Sequence, residues 1–308
     1  MRAGGFRVTG TIRIGISGWR YEPWRGVFYP AKLPQKDELA YASRRLSSIE
    51  INGSFYSMQR PEYYARWRDE TPDDFVFALK GPRYITHVRR LDDVAPALAN
   101  LFASGLAELR GKLGPILWQL SPTLRFDADL VEGFAAQLPH DTDAAAALAA
   151  HHTDKVAGRT ALDYGANRPL RHAFEVRNHS FADPAFVDVA RRHGVAIVVG
   201  DTADSEGGPG KWPRIEDVTA DFVYLRLHGL EEQYPEGYTP AALEGWAARI
   251  REWQAGRQPA DARLVATASS APAPVPRDVH CYFDNDQKAL APRDAQSLAR
   301  ILGVSPPP

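Results

Sequence analysis

About eight short β-branched or aromatic runs recur along the chain, and nearly all of them end in polar side chains. IRIGIS ends at Ser17, SIEI carries Glu50 and leads to Asn52, and FVFAL stops at Lys80. PILWQL carries Gln119, and HAFEV carries Glu175 and is followed by Arg177. VAIVV leads to Asp201, FVYLRL carries Arg226 and reaches His228, and HCYF precedes Asp284 and Asn285. Helix-compatible sequence follows each run. This alternation predicts an α/β fold, a TIM-barrel-like (β/α) barrel of about eight units. In such a barrel the C-terminal strand ends converge on one mouth, so these polar residues would meet in space.

The strands are expected at 12–17, 48–52, 75–80, 115–120, 173–176, 195–199, 222–227 and 279–283. Helices are expected over 35–46, 61–69, 94–110, 184–193, 240–254 and 289–302, with another from an Asp127 N-cap through Gln137. The alanine-rich stretch 142–166 reads as further helix. Glycine and proline crowd 201–213, which reads as a long loop and a candidate lid, and 269–276 reads as a Pro/Ala/Ser linker. No domain-separating linker interrupts the rhythm. A single domain over 12–302 is expected, with an N-terminal extension at 1–11 and a tail at 303–308.

Net charge is −1, which argues against the broad basic field of a duplex-binding protein and makes nucleic acid an unlikely partner. Cys281 is the only cysteine, so the chain forms no internal disulfide and no multi-cysteine metal site; a buried thiol is expected. Residues 1–11 lack the apolar core of a signal peptide, and no apolar stretch is long enough to span a bilayer. A cytoplasmic protein without a membrane partner is the expectation.

The presumed mouth combines cations with carboxylates. Arg presents a planar donor fork matched to phosphate or carboxylate, and Lys a compact charge, so their convergence favours a small anionic partner. Glu50, Lys80 and Glu175 are the candidate catalytic residues, as acid/base groups or as a nucleophile. Candidate substrate-binding residues are Asn52, Tyr56, Arg83, His87, Gln119, Arg177, Asp201, Arg226, His228, Asp284 and Asn285. The bland alternative makes Glu50 and Glu175 interior carboxylates paired with Lys80 and Arg177. Aromatics of the 19–24 loop read as loop packing rather than ligand contacts. The glycine-rich 207–211 lacks phosphate-loop spacing, and no HExxH motif or nucleophile elbow occurs.

Several of these segments resemble a known family. Ile16 to Tyr21, Phe28-Tyr29-Pro30, Glu50 to Tyr56, and Phe77 to His87 are similar to motifs of the YecE-like family, domain of unknown function 72. Phe174 to Phe181, Leu225 to Gly229 and Tyr282 to Asp286 continue the match in family order. Gly53 stands where Ser is more typical, and Phe181 where Trp is common. The resemblance implies a TIM-barrel-like fold and no established activity.

Three enzymatic readings and one other remain open from these residues. The first is an enzyme acting on a phosphorylated or otherwise anionic small molecule, held by Lys80, Arg177 and Arg226. The second is a divalent-metal-dependent hydrolase or isomerase, using Glu50, Glu175, Asp201, His179, His228 and Asp284 as ligands. In the third, Lys80 forms a Schiff base with a carbonyl substrate. The non-enzymatic alternative is a ligand-sensing or partner-binding barrel. No cofactor and no metal ligand set is assigned.

Overall fold

The structure is a computed structural model that describes residues 9–201, 212–229, 234–266, 273–285 and 287–304. Strand β1 (Ile12–Ser17) leads through helix α1 (Glu38–Ser43) to β2 (Ser48–Ile51). Helices α2 (Gly53–Tyr56) and α3 (Pro61–Glu70) precede β3 (Val76–Lys80), and α4 (Ala95–Ala103) precedes β4 (Leu113–Gln119). Helices α5 (Ala128–Ala135) and α6 (Thr142–Ala149) lead to β5 (His172–Glu175). Helix α7 (Pro184–Arg192) comes before the short pair β6 (Ala196–Ile197) and β7 (Val199–Gly200). Then follow β8 (Phe222–Leu227), α8 (Pro240–Gln254), β9 (Asp278–Phe283) and α9 (Leu290–Leu302).

All paired strands run parallel, in the order β6-β5-β4-β3-β2-β1-β9-β8-β7. The two sheet edges are halves of one chain segment. Its start pairs with β5 and its end with β8, so the sheet curls almost shut around Val198. The Val198 N–H still donates to the Phe174 carbonyl at 2.9 Å. The expected strand over 195–199 is therefore two pieces, because one short segment must satisfy neighbours on both sides of a closing barrel.

Successive strand residues point to opposite faces, and this two-residue period builds the interior. Ala78, Leu117, Ala173, Val198, Phe222, Tyr224 and Tyr282 form a buried cluster of their own. The alternate positions pack outward into a second, larger core under the helices, where Ile49, Phe77, Leu225 and Phe283 lie. Tyr224 and Tyr282 fill the barrel centre with ring centroids 5.1 Å apart. The Tyr282 and Ser48 hydroxyls are 2.7 Å apart. Two residues further along the strands, Ala78, Leu117, Ala173, Tyr224 and Tyr282 give way to Lys80, Gln119, Glu175, Arg226 and Asp284. The apolar layer thus carries a polar layer directly above it.

Several expected helices are shorter than their periodicity suggests. The 94–110 helix stops at Ala103, because Gly105 takes φ 117° and a Cβ there would meet Pro61 Cα at 2.6 Å. The chain resumes as a separate 3₁₀ segment, Leu106–Lys112. The 35–46 helix is a 3₁₀ turn followed by α1, and the 142–166 helix ends at Ala149. Asp127 caps α5 as expected, its carboxylate accepting from the Leu130 N–H at 3.0 Å. Trp24 is fully buried, in keeping with its reading as loop packing, and Cys281 is a free, buried thiol. No helix among the described residues is long and apolar enough to cross a membrane. Most of the glycine-rich loop (202–211) and part of the linker (267–272) lie outside the described residues.

Candidate functional site

Arg226 sits at the centre of the polar layer. Its Nη2 lies 2.9 Å from Glu50 Oε1 and 2.9 Å from Asp284 Oδ2, and its Nη1 lies 2.9 Å from Glu175 Oε2. Its Nε donates to Glu50 Oε2 at 3.2 Å, and Nη2 also reaches Ser17 Oγ. Burial works against the guanidinium charge, but Asp284, Glu175 and Glu50 outweigh it and hold its pKa well above the usual value. Arg226 is thus a cation shared by three carboxylates, with its Nε and both Nη atoms engaged.

Glu50 and Glu175 are correspondingly saturated. Glu50 accepts from Ser17 at 2.9 Å and from Tyr224 at 2.6 Å, besides Arg226. Glu175 accepts from Arg177 at 2.7 Å and from Gln119 at 3.0 Å, besides Arg226. Burial alone would raise Glu175, yet Arg226 and Arg177 keep its carboxyl well below the usual carboxylate range. The pairing of Glu50 differs from the expected one, since its partner is Arg226 rather than Lys80. The Glu175–Arg177 pair is present.

Lys80 stands apart. It is buried at the end of β3, and among the described residues its ammonium makes no ion pair or hydrogen bond. Its Nζ lies 4.3 Å from the centroid of the Phe55 ring. Burial, aided by Arg226, pushes its pKa down. The Ser54 hydroxyl donates to the Lys80 carbonyl at 2.6 Å, tying α2 to the end of β3 and seating Phe55 beside the ammonium.

His228 bridges two carboxylates, with Nδ1 3.1 Å from Asp284 and Nε2 3.6 Å from Glu175. Burial opposes its protonation, but Asp284 and Glu175 prevail and lift its pKa to about 9. It is an imidazolium at neutral pH, with Nε2 lacking a hydrogen-bond partner. His87 moves the other way: burial, then the charges of Lys80, Arg83 and Arg177, lower its pKa. Its Nδ1 is 2.9 Å from the Thr86 hydroxyl, and its ring meets Phe55 edge-on at 5.2 Å.

The remaining sequence-selected residues divide by position. Asn52 Oδ1 and Asn285 Oδ1 are buried without hydrogen-bond partners, the second while its Nδ2 donates to Asp294. Arg83 and Tyr56 are exposed at the rim, and among the described residues Arg83 has no ion pair or hydrogen bond from its side chain. Asp201 is buried, and its carboxylate accepts from the His228 and Gly229 N–H groups at 2.8 and 3.1 Å and from the Tyr238 hydroxyl. It holds the exit of β8. Among the described residues no three His, Cys, Asp or Glu side chains are grouped as metal ligands.

Sequence reasoning passed over Tyr224 and Trp212. Tyr224 was accessible to it, being two residues before Arg226 and so on the same strand face. Trp212 carries Arg177 over its ring at 4.3 Å and meets His228 edge-on at 5.6 Å. It sits in a loop without periodicity, which left no local signal.

The family model for Protein of unknown function DUF72 matches residues 13–308. The chain belongs to the DUF72 family. The UPF0759 protein YecE of Escherichia coli K12 is 31% identical over 115 residues, covering 36% of this chain and 38% of YecE. UPF0759 protein YunF of Bacillus subtilis is 27% identical over 116 residues, covering 36% of this chain and 40% of YunF. The match thus spans less than half the length of either relative. A DUF72 family protein of Thermotoga maritima superposes with TM-score 0.67 at 20% identity, covering 95% of this chain and 99% of that one. One from Enterococcus faecalis gives 0.65 at 16% identity, covering 96% of each. These two structures share the barrel fold.

Proposed function

We propose that the barrel mouth binds a small molecule carrying a phosphate or carboxylate and exchanges a proton with it. The observation that carries this reading is Lys80. Burial disfavours the Lys80 ammonium, and although Glu175, Glu50 and Asp284 act on it from a distance, none of them contacts it directly among the described residues. An anion at the mouth supplies that contact. Arg83 and Arg177 stand close enough to depress His87 together with Lys80, so their fields overlap where the anion would sit. The three carboxylates below are offset by Arg226, Arg177 and the protonated His228 together.

The proton chemistry falls to His228 and Lys80. His228 is held protonated, and burial makes the Lys80 ammonium readier than an ordinary lysine to give a proton to the anion it holds. Glu175, held by Arg226, lies 3.6 Å from His228 Nε2 and orients that ring. A second reading shares the Lys80 observation: a lysine with a lowered pKa attacks a carbonyl and forms a Schiff base. Borohydride reduction in the presence of carbonyl compounds, followed by mass analysis of Lys80, separates the two.

The test is thermal unfolding with inorganic phosphate, sugar phosphates and dicarboxylates, on wild type and Lys80→Met. Ligand at ~100 times its Kd adds about 2.7 kcal/mol and raises Tm by several degrees. The expected result is a shift in wild type that Lys80→Met loses. A shift that Lys80→Met retains in full removes the assignment. Binding without turnover of any bound compound favours the ligand-sensing alternative.

A further inference from the structure

A groove of about 670 Å³ opens beside the mouth, between the loop after β2 and the loop after β3. That size lies within the range of small-molecule sites. Its walls include Phe55, Tyr56, Met58, Arg83, Tyr84 and Lys155. Tyr56 is 75% exposed and Tyr84 46%, so both present ring surface to the groove or its rim rather than to the core. The far wall is fixed: Asn100 Nδ2 donates to Thr153 Oγ1 at 3.0 Å, and the Thr153 N–H donates to Asn100 Oδ1 at 2.7 Å. Lys155 Nζ lies 5.8 Å from the Tyr84 ring centroid.

Two residues join this groove to the mouth. Phe55 lines the groove while its ring receives the Lys80 ammonium. Arg83 lines the groove while its charge reaches His87. Arg89, also in the wall, is already paired with Asp93 at 2.9 Å, which leaves Arg83 and Lys155 as the groove's uncommitted cations among the described residues.

We infer that the groove is the ring subsite of the mouth's ligand, and that this ligand is a phosphate ester bearing a planar heteroaromatic ring, of nucleotide size. The inference rests on the anion reading of the mouth and adds the ring to it. Planar rings stack on exposed tyrosine faces, and an adjoining cation adds to the attraction. The phosphate lies toward Lys80 and Arg177, with Arg83 at the junction. A sugar phosphate without a base fills only the mouth.

Calorimetric titration with four nucleoside 5′-monophosphates (AMP, GMP, CMP and UMP) and with ribose 5-phosphate tests this. At least one nucleotide should bind about tenfold or more tightly than ribose 5-phosphate. Tyr84→Ala and Tyr56→Ala should each weaken that nucleotide by about fivefold or more, the loss expected for one stacking contact. Tyr84→Ala, outside the mouth's own binding set, should bind ribose 5-phosphate as wild type does, and the exposed positions of both tyrosines keep the fold intact. If ribose 5-phosphate binds and no nucleotide exceeds it, the ring subsite is wrong and the anion mouth stands. If the tyrosine variants weaken both classes equally, the groove is not a ring site. If nothing binds, and phosphate gives no Lys80-dependent Tm shift, both readings fall together.

Discussion

Arg226 Nη2 lies 2.9 Å from Glu50 Oε1, with both side chains almost wholly removed from solvent, and this pair anchors the barrel's polar layer. Removing one partner of a buried pair leaves an uncompensated charge and costs about 3–5 kcal/mol. Arg226→Ala should therefore lower the urea midpoint sharply. Arg226→Met combined with Glu50→Gln should recover part of the loss, because Glu50 is then no longer a stranded charge while Glu175 and Asp284 keep Arg177 and His228. An unchanged midpoint in Arg226→Ala would show that the pair contributes nothing.

Lys80 predicts the opposite sign. Lys80→Met replaces a desolvated ammonium with an apolar chain of similar length against Phe55. Stability should hold or rise by up to about 1 kcal/mol, as for replacements at sites shaped for function. Chemical denaturation reads this directly, and the same variant should lose the phosphate-induced Tm shift.

His228 ties stability to alkaline pH. Its folded pKa, about 9, lies above the ordinary value of 6.5. Its stabilisation is complete below pH ~6.5 and is lost as pH rises through 9. The contribution is of the order of a few kcal/mol. Wild-type stability should fall across that window, and His228→Gln should flatten the slope. Equal slopes in the two proteins would contradict the assignment.

Two other histidines add to the acid limb, beside depressed carboxylates such as Glu175. His172 and His280 are fully buried, and burial lowers both to about 3. His172 Nε2 is 2.7 Å from the Pro139 carbonyl oxygen, and its Nδ1 accepts from Trp118 Nε1 at 3.1 Å. The unfolded chain binds protons at these sites between pH 6.5 and 3 while the folded chain does not, so stability falls as pH drops through that range. His280→Phe should reduce the slope, measured by urea denaturation at stepped pH.

Asp201 is predicted to act through the backbone. Its carboxylate holds the N–H groups of His228 and Gly229, which set the exit of β8. Asp201→Ala strands these donors, at about 1–3 kcal/mol for each that stays dry. The variant should also shift the His228 pKa, followed by imidazole NMR titration. An unmoved pKa would show that β8 keeps its exit without Asp201.

The amino-acid order by itself determined the parallel barrel and which polar residues stand at its strand ends. Short β-branched runs specify strands, and a two-residue period puts Lys80, Glu175 and Arg226 one step beyond Ala78, Ala173 and Tyr224 on the inner face. Glu175 and Arg177 are two positions apart, but nothing local specified the partners of Glu50 and Arg226. Glu50 and Arg226 are 176 positions apart, and only the curl of the sheet brings them together while leaving Lys80 against Phe55. Local periodicity likewise ran through Gly105, where the clash of a side chain with Pro61 on another element decides that the helix stops. Strand direction is set by neighbours along the chain; ion pairing, closure at Val198 and the groove beside Tyr84 are set by distances across the barrel, which exist only once it closes.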